Sequence, residues 1–260
     1  MKKIIFLDKN FKKPITCLTA YSASIATLLD GNVDMILVGD SLGSTLYGMK
    51  NTQGVTLEMI KVHGRVVAKN VKKSIVILDM PYKSYSNKKE ALRNARELID
   101  YTKAKTLKLE IQKKNIPIIK WLSKNNINVI AHIGVTPQSY SDFKKIRVVG
   151  KNIEERKNLL ELAKRAEIAG AKAILLECIT QKIAKEITQS VSIPTIGIGS
   201  SKHCDGQVLV FDDLVNMGNN NLPKFVKTYI NFGKQAKKVI KKFSQEVKNK
   251  KFPNKKYTYQ

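Results

Sequence analysis

Five side chains in this sequence follow short apolar runs in the same way. Asp40 stands one glycine beyond Met35–Val38. Asp79 follows Ile75–Leu78, Glu110 follows Thr106–Leu109, His132 follows Asn128–Ala131, and Glu177 follows Ala173–Leu176. A short continuous apolar run reads as a strand buried on both faces, as in parallel sheets. The carboxyl ends of such strands are where α/β folds bind ligands. The two Asp and Glu110 offer hard carboxylate oxygens, which suit Mg²⁺, an ion that takes few protein carboxylates and keeps several waters. A cation would also offset the repulsion of clustered acids. Lys108 lies two residues before Glu110, so alternation points both into the same space, where the ammonium could pair with a substrate carboxylate. Glu177, with its apolar approach, would be partly desolvated, which suits a general base. His132 could donate a hydrogen bond or shuttle a proton. Each residue also has a plainer reading: an acid after a strand can cap the next helix, Lys108 can balance a neighbouring acid, and His132 can be structural.

The elements that must position these groups alternate along the whole chain. Strands are expected near residues 14–18, 35–38, 75–78, 106–109, 128–131, 173–176, 194–199 and 207–210. Between them come segments of helical spacing, several opened by Thr56, Asn87 or Asn152 as caps. Residues 46–55 and 134–150 read as loops. One βαβ unit after another implies parallel strands. Eight units in 260 residues fit a closed (β/α)₈ TIM barrel, about 250 residues in size. An open doubly wound sheet is the alternative, but no Gly-x-Gly-x-x-Gly follows the first strand. The reading is a single barrel domain over residues 1–260, with a basic helix or tail from about 224.

Formal net charge is +26, from 47 Lys+Arg against 21 Asp+Glu. The excess is mostly Lys, spread over the expected helices, whereas sequence-specific nucleic-acid readers rely on Arg. No nucleic-acid partner is therefore expected, though the charge could draw anionic substrates toward a site. Cys17, Cys178 and Cys204 are odd in number and without paired spacing, which points to reduced thiols in a cytoplasmic protein. The apolar run within Met1–Asn10 is too short for a signal peptide, and no stretch approaches the roughly 20 residues of a membrane span.

Thr19-Ala20-Tyr21, Val38 to Gly43, Asp79-Met80-Pro81-Tyr82, Lys108-Leu109-Glu110, Ala131 to Ser139, Leu176-Glu177-Cys178, Ile193 to Gly199, Cys204 to Val210 and Pro223-Lys224-Phe225 occur in this order. Together they resemble the ketopantoate (3-methyl-2-oxobutanoate) hydroxymethyltransferase family from about residue 12 to 253. The resemblance implies a barrel of the phosphoenolpyruvate/pyruvate type and transfer of a hydroxymethyl group from 5,10-methylenetetrahydrofolate to 3-methyl-2-oxobutanoate. That is the first committed step of pantothenate biosynthesis. It further implies that Asp40 and Asp79 bind Mg²⁺ with Glu110 close by, that Ser41 and Lys108 hold the keto acid, and that Glu177 accepts the proton. Homo-oligomers, often decamers, are the family's habit. The chain departs from the family's usual residues at Ser22, Gly48-Met49-Lys50, Lys103-Ala104-Lys105, Ile111 and Lys144-Lys145.

Two other readings compete. A carbon–carbon lyase or phosphonomutase-like enzyme would keep the barrel and metal, but such relatives often carry a reactive Cys after the second or fourth strand, where this chain has none. A basic binding protein on a degenerate barrel would owe its affinity to charge alone and lose it steeply with salt.

Overall fold

The computed structural model describes residues 13–142, 145–218 and 222–259. The leader reading of Met1–Asn10 and the departure at Lys144 lie outside them. The chain divides into two compact units, Met1–Val210 and Phe211–Gln260.

Among the described residues of the first unit, eight parallel strands close into a barrel in sequential order. They are β1 (Ile15–Thr19), β2 (Met35–Val38), β3 (Ile75–Asp79), β4 (Thr106–Glu110), β5 (Asn128–Gly134), β6 (Ala173–Glu177), β7 (Thr195–Ile198) and β8 (Gly206–Leu209). Between them run α1 (Ala23–Leu29), α2 (Leu42–Tyr47), α3 (Leu57–Asn70), α4 (Lys88–Thr102), α5 (Ile116–Lys124), α6 (Ile153–Ile168) and α7 (Gln181–Ser190). The second unit holds α8 (Phe211–Leu214) and α9 (Phe232–Lys248), where Phe243 meets Phe252 edge-on at 5.5 Å between ring centres.

The barrel interior follows from alternation. Ile15, Cys17, Met35, Leu37, Ile77, Ile130, Ala173, Leu175, Ile196 and Val208 form one buried cluster, every second residue of their strands. The intervening Ile36, Val38, Leu78, Leu107, Leu109, Ile174 and Leu176 are also buried. Where both faces are covered, as in β2 and β6, the strand reads as an unbroken apolar run. Closure needs a glycine: β8 enters beside β1 with Gly206 opposite Ile15, and a Cβ there would stand 2.5 Å from the Ile15 carbonyl oxygen.

The helix starts answer one question left open by the sequence. Ser22, Thr56, Asn87, Asn152 and Asn231 accept a backbone N–H at the starts of α1, α3, α4, α6 and α9. None of the four strand-end acids serves as an N-cap, so they are not there to start helices. The region beginning at Leu46, expected as loop, differs in part. Helix α2 runs through Tyr47 and ends at Gly48 with φ +62°, and a 3₁₀ turn covers Thr52–Gly54. Its sequence, Leu-Gly-Ser-Thr-Leu-Tyr, is poor in strong helix formers, so propensity hides it.

Candidate active site

The inward phase of the barrel core continues to the rim. Two residues beyond Ile77, Ile130 and Leu175 stand Asp79, His132 and Glu177, and on β4 Lys108 and Glu110 share one face. Register then chooses the neighbours. Asp79 pairs with Lys108, Glu110 with His132, and Gly134 with Glu177. Gly134 has φ +103°, and a Cβ there would lie 2.3 Å from the Glu177 carbonyl oxygen, so only glycine lets β5 approach β6 where Glu177 is held.

These positions produce a connected polar cluster. Lys108 Nζ donates to Asp79 Oδ2 at 2.7 Å, and the Asp40 backbone N–H donates to the same oxygen at 3.0 Å. His132 Nε2 lies 3.3 Å from Glu177 Oε2, and His132 Nδ1 lies 3.7 Å from Glu110 Oε1. Both contacts are off the line of a good hydrogen bond. Asp40, Asp79, Lys108, Glu110 and His132 are all buried, while the Glu177 side chain keeps 18% exposure. Ser41 stands beside Asp40, its Oγ 2.7 Å from the Tyr21 hydroxyl.

Burial dominates the electrostatics. It pushes the Asp79 carboxyl up to about 7 against the pull of the Lys108 ammonium, with the Asp40 carboxylate adding to the rise. Glu110 is raised well above the usual carboxylate range by burial, then by Asp40. Burial would lower Lys108, but Asp79, Asp40 and Glu110 outweigh it and hold its ammonium above the ordinary value. Burial and the Lys108 charge keep His132 below its ordinary value despite Glu177, so the imidazole is neutral at pH 7.

Three carboxyl groups thus surround one ammonium, and two of them resist ionisation. Asp79 Oδ1 and Glu110 Oε1 are buried without a hydrogen-bond partner among the described residues. Oxygens left this way are costly unless something absent from the chain satisfies them. No group of three or more His, Cys, Asp or Glu among the described residues forms a ready-made metal cage. Mg²⁺ does not require one, because it is held by one or two carboxylates and retains water. The donor set fits a hard divalent cation.

Sequence reasoning assigned no role to two residues that bind the cluster together. Gln138, in a 3₁₀ turn over Pro137–Ser139, donates from its backbone N–H to Glu110 Oε2 at 3.0 Å and from Nε2 to Asp40 Oδ2 at 2.9 Å. The Tyr85 hydroxyl donates to Gln138 Oε1 at 2.8 Å. The one available signal was Pro137-Gln138 just past a strand, in a turn. Beside the cluster lies a cavity of about 380 Å³ whose lining includes Glu110, Gln138, Tyr85, Tyr82, Lys83 and Lys114.

The departures from the family pattern have structural places. Ile111 is buried, lines that cavity and donates its N–H to the His132 carbonyl at 2.9 Å. Met49 packs its sulfur against Gly43 and Gly54. Ser22 caps α1. The cysteines are buried, with Cys17 and Cys178 pushed up to about 12, chiefly by burial. They are therefore inert as nucleophiles at neutral pH.

A closed parallel barrel with acids, a lysine and a neutral histidine at its strand ends defines a (β/α)₈-barrel enzyme. Solved structures agree on the fold. Phosphonopyruvate hydrolase matches with a TM-score of 0.62 at 13% identity, over 95% of this chain and 86% of that one. The 2,3-dimethylmalate lyase, a member of the PEP mutase/isocitrate lyase superfamily, matches at 0.59 and 14%, over 96% and 88%. The sequence is far closer to another group. It is 50% identical over 259 residues to the 3-methyl-2-oxobutanoate hydroxymethyltransferase of Pelagibacter ubique, covering 99% of both chains. It is 42% identical over 249 residues to that of Rhizobium rhizogenes, covering 95% and 91%. The profile of the ketopantoate hydroxymethyltransferase family matches residues 3–255. The chain belongs to that family.

Proposed function

We propose that this chain transfers a hydroxymethyl group from 5,10-methylenetetrahydrofolate to 3-methyl-2-oxobutanoate, giving 2-dehydropantoate. The observation that carries the reading is the meeting of buried Lys108 with the rim acids Asp40, Asp79 and Glu110, with Glu177 beside them at His132, in a chain of this family. An α-keto acid brings a carboxylate and a keto oxygen that gains negative charge when the neighbouring carbon loses its proton. Lys108 supplies a permanent positive charge at that place. Asp40, Asp79 and Glu110 would hold Mg²⁺, which when bound supplies Lewis-acid stabilisation of the same charge.

Glu177 is the base in this scheme. It takes the C3 proton of the keto acid, with neutral His132 standing 3.3 Å from it. Ser41 and Lys108 hold the substrate carboxylate and keto oxygen. The C3 carbon then forms the new carbon–carbon bond to the one-carbon unit, whose bonds to the two donor nitrogens break. Water supplies the hydroxyl oxygen, and the C3 proton and one water proton end on those nitrogens. The 380 Å³ cavity, with the Tyr82 and Tyr85 rings and with Lys83 and Lys114 among its lining residues, suits the flat, anionic-tailed donor.

The test is product formation from keto acid and donor, with deuterium exchange at C3 measured without donor. Both are expected in the unaltered chain, and loss of both in Glu177→Gln. Exchange that survives Glu177→Gln would remove the base assignment. Tyr82→Ala is expected to raise the donor KM several-fold and leave donor-free exchange unchanged.

A further inference from the structure

Gln138 uses every hydrogen-bonding group it has. Its backbone N–H donates to Glu110 Oε2 at 3.0 Å, and its carbonyl accepts from Gln53 Nε2 at 2.9 Å. Its side-chain Nε2 donates to Asp40 Oδ2 at 2.9 Å and to the Met80 carbonyl at 3.1 Å, and its Oε1 accepts from the Tyr85 hydroxyl at 2.8 Å. The residue is 3% exposed. The amide can sit only one way round, because a carboxylate and a carbonyl only accept, so the face toward Asp40 and Met80 must be the NH₂. With the NH₂ so placed, Oε1 must accept, and the Tyr85 hydroxyl shares its one proton between Oε1 at 2.8 Å and the Glu110 carbonyl at 3.1 Å. The whole chain of bonds is therefore directional, and it ends on one oxygen each of two carboxylates.

We propose that Gln138 is a positioning residue of the rim: by occupying one oxygen of Asp40 and one of Glu110, it fixes which carboxylate oxygens face a divalent cation. The inference rests on the cation reading of the cluster given above. An amide does this without adding charge. A Glu here would add a fourth carboxylate to a crowded set, and a Lys or Arg would compete with the cation. The 3₁₀ turn with Pro137 at its start carries Gln138 into place, and Thr136 Oγ1, 3.0 Å from Ser139 Oγ, braces the turn. Occupied oxygens contrast with the open ones: Glu110 Oε1 and Asp79 Oδ1 have no hydrogen-bond partner among the described residues.

The test uses the full-length chain and Mn²⁺ alone, titrated calorimetrically without substrate. Gln138→Met keeps length and volume and removes the amide, leaving the backbone bond to Glu110. Its Kd for Mn²⁺ is expected to rise about tenfold, the order expected for loss of an outer group that orients a metal ligand. Tyr85→Phe, which takes the donor from Oε1 and loosens the hold on the amide, is expected to raise it about threefold. Thermal midpoints measured without metal separate this from a general loosening, and Tyr85→Phe alone decides if Gln138→Met fails to fold. Variants that bind Mn²⁺ as tightly as the unaltered chain overturn the role of Gln138. Absence of saturable Mn²⁺ binding in the unaltered chain overturns the cation reading and this inference together.

Discussion

The acids at the two ends of the barrel are the same chemically and opposite in their surroundings. At the amino-terminal end, Asp34 Oδ2 accepts from the backbone N–H and the hydroxyl of Thr16, both at 2.8 Å. The Asp30 carboxylate accepts from the N–H groups of Lys72, Lys73 and Ser74. Asp205 Oδ2 accepts from the N–H and hydroxyl of Thr195 at 2.8 and 3.0 Å. All three tie down the chain at the start of a strand, β1, β3 and β7 respectively for Asp34, Asp30 and Asp205. At the carboxyl-terminal end, Asp79 and Glu110 are buried more deeply, yet each keeps an oxygen without a partner among the described residues. A structural acid is satisfied by backbone donors of its own chain. A site acid is left short, and that shortfall marks the rim as the place where something else binds.

The sharpest way to break this contrast is at Glu177. Glu177→Gln preserves shape and removes the base. Donor-free exchange at C3 is expected to fall by about a thousandfold, within the range for loss of a positioned base. Because the side chain is partly exposed and meets the cluster at His132, the thermal midpoint should barely move.

The next largest effect is on stability. Lys108→Met leaves Asp79 buried without its ammonium, and breaking a buried pair from one side costs about 3–5 kcal/mol. Without the ammonium the Asp79 carboxyl rises further, so the loss is expected to be largest above pH 7, where it must be held ionised or protonated at a cost; adding Asp79→Asn is expected to recover much of that loss in denaturant unfolding at pH 9, while exchange stays abolished. If the double variant were no more stable than Lys108→Met alone, the charge account of the rim would be wrong. At the opposite end, Asp34→Ala removes two hydrogen bonds to the exposed Thr16, whose N–H water can then reach, and should cost about 0.5–1.5 kcal/mol. Exchange per folded molecule should be unchanged there, the reverse of the outcome at Glu177.

Much of this contrast was legible in the sequence for one reason. In a parallel barrel most strands are buried on both faces, so their apolar runs stand out and the residue ending each run must lie at the rim; β1 and β8, with Thr16 and Gln207 exposed, are weaker signals. Asp79, Glu110, His132 and Glu177 could therefore be placed by counting, and Lys108 by parity with Glu110. Gln138 could not be given a role. Its importance comes from contacts with Glu110, Tyr85, Met80 and Asp40, which are 28, 53, 58 and 98 residues away, and no local pattern encodes those. Helix α2 was hidden because Gly43, Ser44 and Thr45 are weak helix formers, held in place by tertiary packing. Asp34 and Asp40 adjoin the same strand, and the sequence tells them apart only by which end each occupies; the hydrogen bonds they receive show what each does.

The smallest expected effect concerns Ser22, where the family usually has Asp. Ser22 Oγ accepts from the Ile25 N–H at 3.4 Å, a long bond at the exposed start of α1. Ser and Asp are near-equal caps, so Ser22→Asp should shift stability by no more than about 0.5 kcal/mol, and Ser22→Ala should cost about 0.5–1 kcal/mol. The Ser22 hydroxyl bonds to Ser24 and Ile25 and its carbonyl accepts from Ala26, all within the start of α1. Exchange at C3 should therefore be the same in all three chains. A gain in exchange with Ser22→Asp would mean that a carboxylate at this position acts on the site and not only on the helix, and the division between site acids and structural acids would then have to be redrawn at α1.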